Sequence, residues 1–163
     1  MNYARVLLAM SLLIAPAWGQ TTTGKVPLIV GVWKLNPGKS RVNVPPDYVE
    51  IRQYSMRPDG YMVGLLIQGN AARGFHYLQF TAKSDGKDYP EYSDPIVADM
   101  IAAGKQTPRT YSENIVDEYV TEWFDKVDGK ITGKGKKIIS QDGKTMTITV
   151  DGSAAPPRIY DRQ

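Results

Sequence analysis

The chain has 163 residues, of which 23% are charged, a formal net charge of +3 and no cysteine. This length suits one domain with a hydrophobic core, and the composition is that of a soluble globular protein rather than a disordered tail. The missing cysteines exclude a disulfide framework, a thiolate metal site and a cysteine nucleophile, and the single histidine excludes a histidine-rich metal site.

Residues 1–19 have the pattern of an export signal. Arg5 supplies a positive charge, Val6–Ala15 is almost wholly apolar, and Ala17-Trp18-Gly19 places small residues where signal peptidases cleave. The apolar run is too short to cross a bilayer, which takes a helix of about 20 residues. We expect cleavage here, export to the periplasm or outside the cell, and a single mature domain of residues 20–163 with no stable membrane insertion. The alternative is an uncleaved N-terminal anchor.

Five Asp-Gly dipeptides punctuate the rest of the chain. Asp-Gly between apolar runs is the strongest short-range signal for a β-hairpin, because glycine adopts the positive φ that tight turns demand. The run after the fourth dipeptide, Thr145–Val150, alternates threonine with apolar residues, as expected of a strand with one wet and one buried face. The dipeptides are Asp59-Gly60, Asp85-Gly86, Asp128-Gly129, Asp142-Gly143 and Asp151-Gly152.

The apolar runs between these turns predict an all-β fold of about eight or nine antiparallel strands. Short turns pair consecutive strands, and closing the sheet removes its exposed edges, so we expect an up-and-down β-barrel. A two-sheet sandwich is the alternative. The predicted strands cover residues 28–35, 48–54, 61–67, 75–81, 115–127, 130–140, 145–150 and 158–161.

A short helix is predicted near residues 95–103. Asp94-Pro95 has the composition of a helix start, the apolar residues between 96 and 101 fall on one helical face, and Gly104 is a typical C-terminal residue. The competing interpretation is a strand over residues 96–102.

No nucleic-acid partner is expected, because such binding needs a concentrated basic stripe and the net charge is small. Lys130, Lys134 and Lys136 share one face of a predicted strand, which indicates an outward face or a guarded edge. Gly133-Lys134-Gly135 lacks the spacing of a phosphate-binding loop.

The ends of the predicted barrel resemble a known group of proteins. Gly31-Val32-Trp33 is similar to the Gly-x-Trp motif of the calycin group, the lipocalins and fatty-acid-binding proteins. Arg158–Arg162 resembles the last strand of the fatty-acid-binding proteins. The run from Gly31 to Ser40, with Asp85–Pro90 and Ser140–Thr147, also resembles small exported bacterial proteins described as lipocalin-like. The resemblance covers most of residues 20–163.

The resemblance implies roles for these residues. It implies structural roles for Gly31 and Trp33, with the indole ring of Trp33 closing one end of the barrel. In lipocalins an arginine of the last strand stacks on this tryptophan, and Arg158 is the candidate here. In fatty-acid-binding proteins such an arginine and its tyrosine, here Arg158 and Tyr160, instead bind a ligand carboxylate. Residues 36–47 are too few and too rich in proline for the helical lid of that family, which favours a lipocalin-like cup.

The interior of the barrel is the candidate ligand site. Tyr119 and Trp123 fall on one face of the predicted strand 115–127 and suit a cavity for a partly apolar molecule. The alternative is that they simply fill the core. His76 has no recognisable nucleophile or second ligand near it in the sequence, and Glu118 and Glu122 are expected to face water, as most carboxylates on a strand do.

The sequence therefore predicts an exported, non-catalytic, lipocalin-like barrel that binds a small hydrophobic ligand. The candidate ligand-binding residues are Arg158, Tyr160, Tyr119 and Trp123, and we expect a monomer with no metal, no cofactor and no catalytic residue. The alternative function is a structural or interaction protein of the cell envelope with a filled core, acting through loops 36–47 and 87–114. An enzyme using His76 and Glu122 is a third, weaker hypothesis.

Overall fold

The computed structural model describes residues 26–93, 103–104 and 108–163. The predicted export signal lies outside these residues. The predicted helix near 95–103 also lies outside them except for Ala103, which is in a turn with Gly104.

The described chain forms a closed barrel of antiparallel strands, each paired with its neighbours in sequence, and the first strand closes against the last. The predicted up-and-down barrel is thus confirmed, with ten strands instead of eight or nine. The strands are β1 (Gly31–Leu35), β2 (Val49–Met56), β3 (Met62–Asn70), β4 (Gly74–Ala82), β5 (Tyr89–Ser93), β6 (Arg109–Ile115), β7 (Val120–Val127), β8 (Lys130–Ile139), β9 (Thr145–Val150) and β10 (Arg158–Arg162).

All five Asp-Gly dipeptides lie in connections between consecutive strands, as predicted. The turn between β7 and β8 shows why this pair is used. Asp128 and Gly129 have φ angles of 50° and 70°, so both central residues of a two-residue hairpin are left-handed.

The predicted long strand 115–127 is wrong at its start, because Ile115 is the last residue of one strand and the chain turns before the next strand begins. β6 ends at Ile115 and β7 begins at Val120. The carboxylate of Asp117 accepts hydrogen bonds of 2.8 Å from the amides of Tyr119 and Val120, which turns the chain. β5 and most of β6 lie in the segment for which no strand was predicted.

One short helix, α1 (Pro37–Ser40), follows β1. Asn36 caps it by accepting a 2.9 Å hydrogen bond from the amide of Lys39, and Ser40 holds it to β10 by accepting a 2.7 Å hydrogen bond from the amide of Ile159. Residues 36–48, all of them described, hold this helix alone and no helical lid. Within the described ranges, no helix is long and apolar enough to cross a membrane.

Buried and more exposed residues alternate along strands such as β9 (Thr145–Val150), and buried side chains pack one end of the barrel. Trp33 of β1, Met146 of β9 and Tyr160 of β10 have no solvent-exposed surface. Farther along the barrel, the inward positions carry charged side chains as well as aromatic ones, and these surround a cavity.

Candidate functional site

Trp33 and Arg162 close the packed end of the barrel. The guanidinium of Arg162 lies 4.1 Å from the centroid of the Trp33 ring and donates hydrogen bonds to the carbonyls of Gly143 (2.6 Å) and Val30 (2.8 Å). The indole Nε1 donates a 2.8 Å hydrogen bond to the carbonyl of Ile29. These contacts hold the loop before β1 and the turn between β8 and β9 against the stacked side chains of Trp33 and Arg162.

The prediction that Arg158 stacks on Trp33 is wrong. Both arginines lie on the inner face of β10, but the register of the closing strands pairs Trp33 with Arg162. Arg158 is four residues away, which is about 13 Å along a strand. It therefore reaches another level of the barrel.

A cavity of about 210 Å³ lies in the barrel interior. Leu66, Leu78, Phe80 and Ile148 supply apolar walls, so a ligand there would bury apolar surface. Small molecules fit this cavity.

The structure brings three of the four predicted ligand-binding residues together. Trp123 and Arg158 line the cavity, and the hydroxyl of Tyr160 accepts a 3.0 Å hydrogen bond from the Nε of Arg52, which also lines it. Tyr119 is elsewhere, in a second pocket of about 190 Å³ beside Ile29.

A buried carboxylate, Glu50, holds the predicted Arg158–Tyr160 pair. The Glu50 side chain is completely buried, and Tyr160 donates to its Oε1 at 2.5 Å while Arg158 donates to its Oε2. Arg52 adds an ionic contact of 3.4 Å, and Tyr48 donates a 3.0 Å hydrogen bond. In this protein, a carboxylate of the chain itself thus takes the position that the resemblance to fatty-acid-binding proteins assigns to a ligand carboxylate.

A second ion pair, Lys137–Glu113, lies deep in the barrel. The Nζ of Lys137 lies 3.0 Å from Glu113 Oε2 and 2.5 Å from the hydroxyl of Tyr111, and both charged side chains are at least 96% buried. The ammonium also lies 4.8 Å and 5.2 Å from the ring centroids of Tyr54 and Phe80. Burial acts to raise the pKa of Glu113, but the Lys137 charge and its hydrogen bonds hold that pKa below the usual value.

The third charged group joins β5, β6 and β7. Arg109 lies between two carboxylates, with its Nε 3.0 Å from Glu91 Oε1 and its Nη2 3.2 Å from Asp125 Oδ2. The contact with Glu91 is ionic but lacks hydrogen-bond geometry. Burial, with help from the nearby Asp125 charge and against that of Arg109, raises the pKa of Glu91 to about 7. Burial also raises the pKa of Asp125.

Two glycines of β8 accommodate the Trp123 side chain. A Cβ atom at Gly133 or Gly135 would lie 3.4 Å or 3.0 Å from the indole, and at Gly135 it would also meet the backbone of Thr149. The Gly133-Lys134-Gly135 sequence therefore provides space for the indole on the inner face of the sheet.

Comparison with solved structures assigns the fold. A fatty-acid-binding protein of Schistosoma mansoni, solved with arachidonic acid, matches with a TM-score of 0.51 and 14% identity, over 86% of this chain and 99% of that one. This chain has a calycin-type barrel fold. A mutant of the fluorescent protein UnaG is also similar, with a TM-score of 0.49 and 20% identity, over 82% of this chain and 94% of that one.

No protein-family model matches the sequence, and no curated protein matches it. The resemblance to the calycin group is therefore supported by the fold of the solved structure and not by sequence matches.

The residues that sequence reasoning missed are the inward charges of this calycin-type barrel. The sequence pattern that indicates these inward charges is a charged or aromatic residue at every second position of a strand, because every second side chain points to the same face. This pattern occurs in Glu50-x-Arg52-x-Tyr54 and in Arg109-x-Tyr111-x-Glu113. Among the described residues, no group of three or more histidine, aspartate or glutamate side chains is placed to hold a metal ion.

Proposed function

We propose that the protein is a non-catalytic, lipocalin-like binding barrel that holds a small hydrophobic molecule in its interior. The observation that carries this proposal is the cavity of about 210 Å³ beside Trp123, with Leu66, Leu78 and Ile148 among its walls. An interior filled by side chains would leave no such space. The single four-residue helix between β1 and β2 leaves this side of the barrel without a lid, which supports a lipocalin-like cup.

The fold comparison supports a binding role, because the similar Schistosoma mansoni protein was solved with a fatty acid. The contacts of Glu50 argue against the same head group here. Arg158 and Tyr160 already bind this buried carboxylate, so a ligand carboxylate would have to displace it. An uncharged or differently charged ligand avoids that cost.

We also propose that the protein is exported and acts as a monomer. The charge, apolar run and small residues of positions 1–19 support export. The intact mass of the protein recovered from its producing cells tests this, with a mature chain that begins at Gln20 expected. Retention of residues 1–19 would contradict it.

Calorimetric titration with n-octanol, a neutral apolar molecule, tests the binding proposal. We expect saturable binding at one molecule per chain, and Leu78→Trp should abolish it because the larger side chain fills the cavity. Ile131→Trp is the matched control, since Ile131 is 55% exposed. If the unaltered protein binds no apolar molecule, the filled-barrel structural role becomes the better hypothesis.

A further inference from the structure

The inward charges of the barrel are unevenly distributed. Near β1, two guanidiniums, Arg52 and Arg158, share the carboxylate of Glu50. Around the barrel at β5–β7, one guanidinium, Arg109, is shared by Glu91 and Asp125. The cavity is lined by residues of both groups, so it has a cationic side and an anionic side.

The buried side-chain polar atoms that lack a hydrogen-bond partner among the described residues lie on the anionic side. Both carboxylate oxygens of Glu91 are buried and have no hydrogen-bond partner within the described part of the chain, and the Glu91 side chain is only 1% exposed. Arg109 gives Glu91 Oε1 an ionic contact of 3.0 Å without hydrogen-bond geometry, so the buried carboxylate can still accept hydrogen bonds from a donor in the cavity. On the cationic side, by contrast, Glu50 accepts hydrogen bonds from its neighbours and Arg158 is 40% exposed to solvent.

The aromatic lining of the anionic side suits a cation. Trp123 borders the same cavity, and an indole face attracts ammonium groups. Lys137 also lines the cavity, but its ammonium is already bound by Glu113 and Tyr111, so it does not compete with a ligand for Glu91.

We propose that the ligand of this barrel is a small apolar amine whose protonated nitrogen binds the Glu91 and Asp125 carboxylates, with its apolar part against Leu66, Leu78 and Ile148. This inference rests on the proposed function and names the chemical class of the ligand. It assigns Glu91 as the residue that distinguishes amines from alcohols and carboxylates of the same length.

Three probes of equal chain length test the assignment on the purified protein: n-octylamine, n-octanol and octanoate. Calorimetric titrations at pH 8 should give the tightest binding for octylamine. Glu91→Gln should weaken octylamine binding at least about tenfold and change octanol binding less than about twofold, because only the charge is removed. Asp125→Asn should act in the same direction. Glu122→Gln, which alters an outward carboxylate paired with Lys136, is the matched control and should change neither affinity.

The outcomes separate the two proposals. Octanol binding with no preference for octylamine, or octylamine binding that survives Glu91→Gln and Asp125→Asn, overturns the amine proposal and leaves the binding function intact. Tighter binding of octanoate than octylamine also overturns it. If none of the probes binds the unaltered protein, both proposals fail together. Retained octanol binding by each variant shows that its barrel is folded, so a loss of octylamine binding cannot come from misfolding.

Discussion

Gly31 and Arg162 occupy adjoining space in the barrel wall: a Cβ atom at Gly31 would lie 2.5 Å from Nη1 of Arg162. Gly31 also has a φ of 144°, which L side chains rarely adopt. The Gly-x-Trp motif therefore has a steric basis in this chain, since the glycine leaves space for the arginine that stacks on Trp33.

Gly31→Ala should lower the free energy of unfolding by about 1–3 kcal/mol, because the new methyl group displaces Arg162 and strains the backbone. Urea unfolding followed by tryptophan fluorescence measures this. Gly60→Ala is the control, since Gly60 also has a positive φ but no atom lies near its Cβ position. Equal losses for the two variants would mean that the contact with Arg162 contributes nothing.

Lys137→Met should destabilise the protein by about 3–5 kcal/mol, because it leaves the Glu113 carboxylate buried without its counter-ion. Chemical denaturation at pH 7 gives the difference. Lys136→Met removes an outward lysine of the same strand and should change stability by less than about 0.5 kcal/mol. Adding Glu113→Leu to Lys137→Met should restore much of the loss, and no recovery would contradict the ion-pair explanation.

Glu50→Gln should turn the Arg158–Tyr160 pair into a site for a ligand carboxylate. The charge of Arg158 and Arg52 would then lack its internal partner, and octanoate would supply it. We expect octanoate affinity to rise by about tenfold, measured by calorimetry, with no rise in Glu122→Gln. Unchanged octanoate binding in a folded variant would show that these arginines do not reach the ligand.

Stability should fall as the pH rises through the raised pKa of Glu91. The folded carboxyl has a pKa of about 7 and the unfolded one about 4.5, so between these values the folded state binds more protons. Protonated Glu91 therefore stabilises the fold fully below about pH 4.5, and this contribution, on the order of 3 kcal/mol, is lost as the pH rises to about 7.

Glu91→Gln provides the check on that pH dependence. Unfolding free energies of the variant and the unaltered protein should agree near pH 5, and the variant should be the more stable at pH 8. The charged groups that face Glu91 are Arg109 and Asp125, and burial raises the pKa of Asp125 as well. Parallel stability curves for the two proteins would contradict the assignment.

Local features of this barrel were predictable because short-range rules govern them. Each Asp-Gly turn depends on a dipeptide, and the inward position of Trp33 depends on strand alternation. Asp117 shows where prediction from apolar content fails. Its side chain accepts hydrogen bonds that turn the chain, whereas apolar content alone predicts one strand from Ile115 to Val127.

The arginine that stacks on Trp33 was not predictable in the same way. Arg158 and Arg162 share a face of β10, and only the register between the first and last strands decides which one meets the indole. The inward carboxylates are a similar case. Glu113 would ordinarily face water, and its partner Lys137 comes from β8, so neither residue alone reveals the pair.

The pairing of β1 with β10 makes the order of synthesis matter. Leu35 of β1 pairs with Tyr160 of β10, and eight strands of the barrel lie between them in the sequence. The barrel cannot close until the ribosome has released its last strand, and such long-range pairing is slow. Until β10 is available, the outer edge of β1 has no closing partner, so the unclosed chain is the form that a translocation channel would receive in the proposed export.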